Sequence, residues 1–147
     1  MKRAVCILIP RAGSVREFIA VSRRNEPDTC GLPGGKVDPG ESELEAIVRE
    51  TFEEIGLMLV TPETDLVPIY TGLCKGDVNY WVTTFLLVPP CNIGLDALKA
   101  EAGITIKYSG WYDLTNLHKC PFHEYNLAVN AAYGMWLMGE ALTNADA

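Results

Sequence analysis

The chain has 147 residues, of which 48% are hydrophobic and 21% are charged, a balance typical of one globular domain with one core. Twelve Lys and Arg against nineteen Asp and Glu leave a net charge of −7, which argues against general binding to nucleic acid. No run approaches the roughly 20 apolar residues of a membrane span, and the five cysteines include no C-x-x-C pair. These features predict a cytoplasmic protein with reduced thiols, no zinc knuckle and no membrane partner.

The first part of the chain predicts two strands and a long loop. Ala4–Ile9 and Glu17–Arg23 are β-type runs separated by a turn, which predicts an opening hairpin. The stretch Asn25–Glu41 contains seven Gly or Pro residues, too many for a helix or a central strand. We therefore expect one long loop there, and a loop of that length in a small domain is usually functional.

A helix is predicted over Glu43–Ile55. Ser42 and Glu45 match a capping box at its start, and Gly56 suits the left-handed residue that follows a helix. At about 100° per residue, the helix has one apolar arc and one acidic arc. The apolar arc, expected to face the core, comprises Leu44, Ile47, Val48, Thr51, Phe52 and Ile55. The acidic arc, expected to point away from the core, comprises Glu43, Glu50, Glu53 and Glu54.

The rest of the chain predicts three strands and a final helix. Strands are expected over Leu66–Leu73, Val78–Val88 and Ile104–Tyr112, whereas Leu95–Ala102 suits either a short helix or a loop. A final helix is expected over about Glu124–Leu142, with an apolar stripe at i, i+4, i+8 and i+11 that we expect to be buried. The members of this stripe are Leu127, Ala131, Met135 and Met138.

Three carboxylates in the first helix carry the chemistry. Glu50, Glu53 and Glu54 project from one helix face, where like charges at this spacing destabilise the helix. Either the face is simply solvated, or a hard divalent cation, which prefers carboxylate oxygens, compensates the charge. Gly34 and Gly35, in the loop before the helix, let backbone approach the same place and offer a carbonyl ligand. This loop favours the cation.

The same residues resemble a family signature, the Nudix box G-x5-E-x7-R-E-U-x-E-E-x-G-U, in which U is aliphatic. The fixed box positions met here are Gly35, Glu41, Arg49, Glu50, Glu53, Glu54, Gly56 and Leu57. Thr51 departs from the pattern at the first aliphatic position, and Cys30 stands where the family commonly has tryptophan before Leu32-Pro33-Gly34-Gly35. Downstream, Gly110-Trp111-Tyr112-Asp113-Leu114 is similar to a late strand of the family.

The resemblance implies a single Nudix domain over residues 1–147, with an α+β fold that forms an α/β/α sandwich around a central mixed sheet. It implies hydrolysis of a nucleoside diphosphate linked to another moiety, with Mg²⁺ or Mn²⁺ as cofactor. By this likeness Glu53 and Glu54 are metal ligands with the Gly34 carbonyl, and Glu50 is a ligand or the base that activates water. Arg49 then orients Glu50.

Further residues have candidate roles at the site. Glu41 is an outer-shell or additional metal ligand by the resemblance, and Glu101 is the candidate ligand from outside the box, with Asp77 and Asp96 behind it. Arg23 and Lys36 are candidates to contact phosphate. Phe122 and Tyr125 are candidates to stack on a base, since they flank the entrance to the last helix. Trp81 is expected in the core, and His118 and His123 are too isolated to indicate zinc.

The leading functional hypothesis is a nucleoside-triphosphate pyrophosphohydrolase that releases a nucleoside monophosphate and pyrophosphate. Hydrolysis of ADP-ribose or of a dinucleoside polyphosphate is the alternative within the same class. A catalytically silent domain that senses a nucleotide is the alternative from another class, and it is disfavoured because no box glutamate is lost. RNA decapping is disfavoured by the net charge of −7. The expected partner is a small nucleotide, and the chain is expected to be a monomer or a homodimer.

Overall fold

The computed structural model describes residues 2–89 and 92–145, the last three of these without their side chains. Seven strands are β1 Lys2–Leu8, β2 Glu17–Arg23, β3 Glu26–Gly31, β4 Gly34–Lys36, β5 Leu66–Cys74, β6 Tyr80–Leu87 and β7 Ile106–Gly110. The α-helices within this part of the chain are α1 Glu43–Ile55, α2 Pro62–Asp65, α3 Trp111–Thr115 and α4 His123–Ala145. A single 3₁₀ turn over Leu95–Ala97 replaces the short helix considered for that stretch.

The strands form two sheets. One has the order β4-β1-β6-β5, in which β1 and β6 are parallel and the two outer pairs are antiparallel. The other has the order β3-β2-β7 and is antiparallel throughout. A mixed sheet with helices packed on it is the α+β class expected from the sequence, which is confirmed.

Strand β1 shows how the layers are arranged, because its side chains alternate between two faces. Val5 and Ile7 belong to the core cluster that contains Ile47 of α1. Leu8 belongs to a second cluster, with Leu114 of α3 and Tyr133 of α4. The sheets therefore lie between α1 on one side and α3 with α4 on the other, so the expected α/β/α sandwich is also confirmed.

The opening hairpin is confined to the strand ends. β1 and β2 belong to different sheets, and they meet only through an isolated bridge between Pro10 and Phe18 and the hydrogen bonds around it. Because β1 carries apolar residues on both faces, it is stabilised in the middle of a sheet, between β4 and β6, rather than in a solvated hairpin.

The prediction of one long loop over Asn25–Glu41 is wrong, because β3 and β4 lie inside it. Gly34 pairs with Cys6 of β1, and a Cβ on Gly34 would lie 2.1 Å from the Val5 carbonyl oxygen. The glycines that suggest a loop are therefore what lets β4 approach β1 this closely.

Helix α1 has the predicted bounds and the predicted capping box between Ser42 and Glu45, and Gly56 is left-handed with φ +72°. One position on its apolar arc is wrong. Phe52 is 50% exposed, while Ala46, outside the predicted arc, is fully buried. The buried face of α1 is therefore rotated from the predicted arc, away from Phe52 and toward Ala46.

Helix α4 buries a different face from the predicted one. Tyr125, Val129 and Tyr133 are buried, whereas all four members of the predicted stripe are exposed. Both faces are apolar, so local periodicity does not distinguish them, and the sheet contacts decide. Trp81, expected in the core, is half exposed on β6. The predicted strand over Ile104–Tyr112 is shorter, since α3 begins at Trp111.

The four cysteines within the described residues, Cys6, Cys30, Cys74 and Cys120, are free thiols, as expected. Cys91 lies outside the described residues. None of the helices in the described part of the chain is both long and apolar enough to cross a membrane.

Thr51 is fully buried in α1, and its hydroxyl oxygen has no hydrogen-bond partner. An unpaired buried hydroxyl costs stability, so Thr51→Val should stabilise the fold by about 1 kcal/mol, which raises Tm by about 2–4 °C. Thermal unfolding measures this.

Thr84→Val is the matched control, because Thr84 is equally buried but its hydroxyl bonds Cys6 at 3.0 Å and Tyr125 at 2.8 Å. That variant should lose about 1–2 kcal/mol. A fall in Tm for Thr51→Val would contradict the prediction.

Candidate active site

One guanidinium organises the acidic face of α1. The five N–H donors of an arginine form a fixed fork, and in Arg49 every one of them has an acceptor. Nη1 donates to Glu50 at 2.8 Å and to Glu53 at 3.2 Å. Nη2 donates to the Lys36 carbonyl at 3.0 Å and, together with Nε, it binds Glu41. Arg49 therefore joins α1 to β4 and to the loop before the helix.

Glu41 faces Arg49 through both of its carboxylate oxygens, at 2.8 and 2.9 Å. One of these oxygens also accepts the Asp38 amide at 3.0 Å. Hydrogen bonds from Arg49, and then from Asp38, lower the pKa of Glu41 to about 2. Both of its oxygens are thus engaged by hydrogen bonds within the protein.

Glu50 lies against the backbone of β4. A Cβ on Gly35 would sit 2.4 Å from the Glu50 carboxyl carbon and 2.5 Å from both of its oxygens. Glycine at this position therefore makes room for the carboxylate. Burial raises the pKa of Glu50, although the hydrogen bond from Arg49 acts in the opposite direction.

Glu54 is the least compensated carboxylate of the cluster. Among the described residues its hydrogen-bond partner is the Gly34 amide, which donates at 3.3 Å. Burial raises the pKa of Glu54 to about 7, and the negative charges of Glu50 and Glu101 act in the same direction. A positive charge beside Glu54 would relieve this penalty.

Within the described ranges, no three His, Cys, Asp or Glu side chains converge closely enough to form a ready-made metal site. Arg49 accounts for this, since it draws Glu50 and Glu53 toward itself while Glu54 faces Gly34. The donor set nevertheless fits Mg²⁺ or Mn²⁺, because it consists of hard oxygen ligands and includes an uncompensated carboxylate. Glu53 is half exposed, with its carboxylate in a 3.2 Å contact with Arg49.

Glu101 lies beside the cluster but its carboxylate is engaged elsewhere. Its backbone N–H donates to the Glu54 carbonyl at 3.1 Å, at the end of α1. Its side chain binds Arg24 at 3.0 Å. The two residues ranked behind it, Asp77 and Asp96, are exposed and do not line the cavity next to the cluster.

A cavity of about 580 Å³ opens next to Glu54 and Gly34 and extends to the start of α4. All four predicted substrate contacts, Arg23, Lys36, Phe122 and Tyr125, line it. Glu41, Arg49, Glu50, Glu53 and Glu101 do not line it and lie beyond its edge at Glu54. The fold therefore brings residues that are more than a hundred positions apart in sequence, such as Arg23 and Tyr125, around one cavity.

The two aromatic candidates differ in how firmly the protein holds their rings. Tyr125 is buried, and its hydroxyl donates to the Val82 carbonyl at 3.0 Å and bonds Thr84 at 2.8 Å, so its ring forms a fixed wall. Phe122 is half exposed at the cavity rim, where its ring is accessible to a ligand.

Tyr80 and Asn126 are among the lining residues that sequence reasoning missed. Tyr80 stands on β6, 5.9 Å from the Lys36 ammonium, and the two make a cation–π contact in the cavity wall. Asn126 is buried in the first turn of α4, and its amide donates to Leu114 and Cys120. In the sequence, the one indication that Asn126 lines the cavity is its position one helical turn after Phe122.

The NUDIX domain model matches residues 1–126 of the chain. The chain belongs to the Nudix family. Three of its four box glutamates, Glu41, Glu50 and Glu53, bind Arg49, and the match also covers the β-strands and the first residues of α4 that line the cavity.

Two curated relatives are similar to this Nudix domain. The uncharacterized Nudix hydrolase YvcI of Bacillus subtilis is 30% identical over 92 residues, which cover 60% of this chain and 54% of the relative. An ADP-ribose pyrophosphatase of Methanocaldococcus jannaschii is 31% identical over 113 residues, which cover 74% of this chain and 62% of the relative. The chain thus spans only about half to three fifths of the length of these relatives.

Solved structures share the fold at low identity. A C. elegans Ap4A hydrolase aligns with a TM-score of 0.63 and 20% identity, over 93% of this chain and 99% of that one. The E. coli dihydroneopterin triphosphate pyrophosphohydrolase aligns with a TM-score of 0.63 and 17% identity, over 85% of this chain and 93% of that one.

The Arg49–Glu41 pair should make the free energy of unfolding depend on pH in the acidic range. Because the folded-state pKa of Glu41 is lowered from 4.5 to about 2, its contribution is present above pH 4.5 and is lost as pH falls toward 2. Glu41→Gln should flatten this part of the stability profile, measured by urea unfolding in EDTA between pH 2 and 6.

Glu140→Gln, which removes an exposed carboxylate of α4, is the control and should leave the profile unchanged. An unaltered profile for Glu41→Gln would show that the pairing does not stabilise the fold.

Proposed function

We propose that this Nudix domain hydrolyses the pyrophosphate linkage of a nucleoside triphosphate, giving a nucleoside monophosphate and pyrophosphate. The observation that carries the proposal is that Glu54 lines a cavity that cationic and aromatic side chains also line, while Glu50 and Glu53 lie on the same helix outside that cavity. A nucleotide has charged phosphates at one end and an aromatic base at the other. Its site therefore needs charged groups at one end and aromatic side chains at the other.

The glutamates and the Gly34 carbonyl are the proposed ligands of Mg²⁺ or Mn²⁺. When bound, such an ion neutralises charge on phosphate oxygens and lowers the pKa of a coordinated water. The half-exposed carboxylate of Glu53 and the uncompensated carboxylate of Glu54 supply the ligand charge. Glu101 stays a candidate additional ligand, although its side chain is bound to Arg24.

Glu50 is the proposed proton acceptor, with Glu53 as the alternative. Glu50 lies between the Arg49 guanidinium and the backbone of Gly35, which fixes its carboxylate, and its pKa is raised by burial. A carboxylate with a raised pKa takes a proton from water more readily. The water oxygen then bonds to phosphorus, the bond between that phosphorus and the bridging oxygen breaks, and pyrophosphate leaves.

The cavity would hold the rest of the substrate. Lys36 and Arg23 carry positive charge on its walls and are the proposed phosphate contacts. Phe122, accessible at the far end, is the proposed stacking partner of the base, with the fixed ring of Tyr125 beside it.

ADP-ribose is the second candidate substrate, and the similarity to an ADP-ribose pyrophosphatase over 74% of this chain favours it. The two activities differ in their products. A triphosphate yields a monophosphate and pyrophosphate, whereas ADP-ribose yields AMP and ribose 5-phosphate.

A panel of nucleoside triphosphates, ADP-ribose and dinucleoside polyphosphates with Mg²⁺, resolved by chromatography, tests the proposal. Turnover of triphosphates with release of pyrophosphate supports it, and ¹⁸O-labelled water shows which phosphorus is attacked. Turnover of ADP-ribose alone selects the second candidate. A thermal shift with nucleotide and Mg²⁺ but no product would indicate a sensor and overturn the proposal.

Activity should require a divalent cation and the Glu53 carboxylate. Glu53→Gln keeps the shape of the side chain but removes its charge, so we expect kcat to fall by several powers of ten, while Tm stays nearly unchanged because Glu53 is half exposed. Excess EDTA should abolish turnover in the unaltered protein.

Glu63→Gln, on the exposed surface of α2, is the matched control and should retain full activity. Unfolding of Glu53→Gln, or full turnover in EDTA, would contradict the proposed role of the carboxylates.

Gly35→Ala should displace the Glu50 carboxylate without unfolding the protein. The added Cβ meets only the flexible end of Glu50, so the fold should survive while the carboxylate is displaced, and kcat should fall at least tenfold. Gly76→Ala is the control, since its Cβ would make an ordinary 3.6 Å contact away from the cavity. Equal activity of both variants would show that Glu50 does not act from its present position.

A further inference from the structure

The exposed side of α4 is an apolar surface that no described residue of the domain covers. Its large side chains, Leu127, Met135, Met138 and Leu142, are 53%, 76%, 67% and 64% exposed. Together with Ala131 they follow one helical stripe, which we call the α4 stripe. The opposite side of α4 is also apolar and packs on the sheet. A helix that is apolar on both sides is typical of one buried on both sides.

We propose that the α4 stripe binds the α4 stripe of a second copy of this chain, in an antiparallel pair related by a twofold axis. The midpoint of Leu127 and Leu142 falls between Gly134 and Met135. An axis at that point sets Leu127 opposite Leu142 of the partner subunit and Ala131 opposite Met138 of the partner subunit. Each small residue near the centre then faces a large one, which is how two helices interdigitate.

Gly134 supports this arrangement independently. A glycine inside a helix costs stability, and a Cβ at Gly134 would meet no atom of its own subunit within 4 Å. Packing within the subunit therefore gives no reason for glycine there. At the centre of an antiparallel pair, the missing side chain lets the two backbones come close.

Charge selects the antiparallel direction. Glu124 is the only charged residue on the side of α4 that carries the stripe, and it precedes Leu127 by less than one turn. A parallel pair would bring two Glu124 carboxylates together, whereas an antiparallel pair places them at opposite ends of the stripe, more than about 20 Å apart. The helix dipoles also oppose each other favourably in the antiparallel pair.

The size of the surface predicts a weak dimer. Leu127–Leu142 spans roughly 22 Å, and half the surface of a helix of that length amounts to roughly 400 Å² per copy. A standard stable interface hides about 800 Å² per partner. We therefore expect association in the micromolar range, lost on dilution.

Sedimentation velocity between about 1 and 500 µM tests the proposal. The unaltered protein should shift from monomer to dimer over this range. Met138→Glu places a charge inside the stripe, and since that side chain is exposed in the subunit, the variant should keep its Tm while its dissociation constant rises at least 100-fold. Met58→Glu, at a methionine of comparable exposure on another surface, should dimerise like the unaltered protein.

Engineered cysteines distinguish the direction of the pair. Gly134→Cys lies next to the proposed axis and should form a disulfide-linked dimer under mild oxidation, compared with the unaltered protein as a control. Leu127→Cys should not, because the antiparallel arrangement keeps the two thiols far apart. A monomer at all concentrations, a dimer unaffected by Met138→Glu, or faster crosslinking of Leu127→Cys than of Gly134→Cys would overturn the proposal.

Discussion

The arrangement of the candidate site depends on the Arg49 guanidinium. Its planar fork fits carboxylates in pairs, and here it is saturated by three glutamates and a backbone carbonyl. A lysine would not replace it, because an ammonium lacks that geometry. Through this one group, the helix, the short strand β4 and the preceding loop hold each other in place, so the loop is ordered where a substrate would bind.

The same arginine explains how one helix carries so much negative charge. Its single positive charge is shared by Glu41, Glu50 and Glu53, each of which it binds. Arg49 does not bind Glu54, and burial raises the pKa of the Glu54 carboxyl. One positive charge does not balance these carboxylates, so the cluster keeps negative charge that an external cation would compensate.

Helix α4 contributes to two surfaces of the domain, the cavity wall and the α4 stripe. Its first turn supplies Tyr125 and Asn126 to the cavity wall, and Phe122 stands just before it. Its middle and second half carry the α4 stripe, which faces away from the sheet. Because the buried face fixes the rotation of the whole helix, the rings at the cavity and the exposed methionines are set by the same packing against β5 and α3.

The sequence by itself determined the features that depend on neighbouring residues. The bounds and caps of α1, the shared face of Glu50, Glu53 and Glu54, and the box spacing all follow from the helical repeat, which is local. Tertiary structure alone decided that the glycine-rich stretch contains β3 and β4, that Phe52 points to solvent, and which apolar face of α4 is buried. Tyr80 and Asn126 reach the cavity for the same reason. Each of these features depends on which distant strand or helix covers a surface. Both candidate faces of α4 are apolar, so only long-range packing distinguishes the buried face from the exposed one.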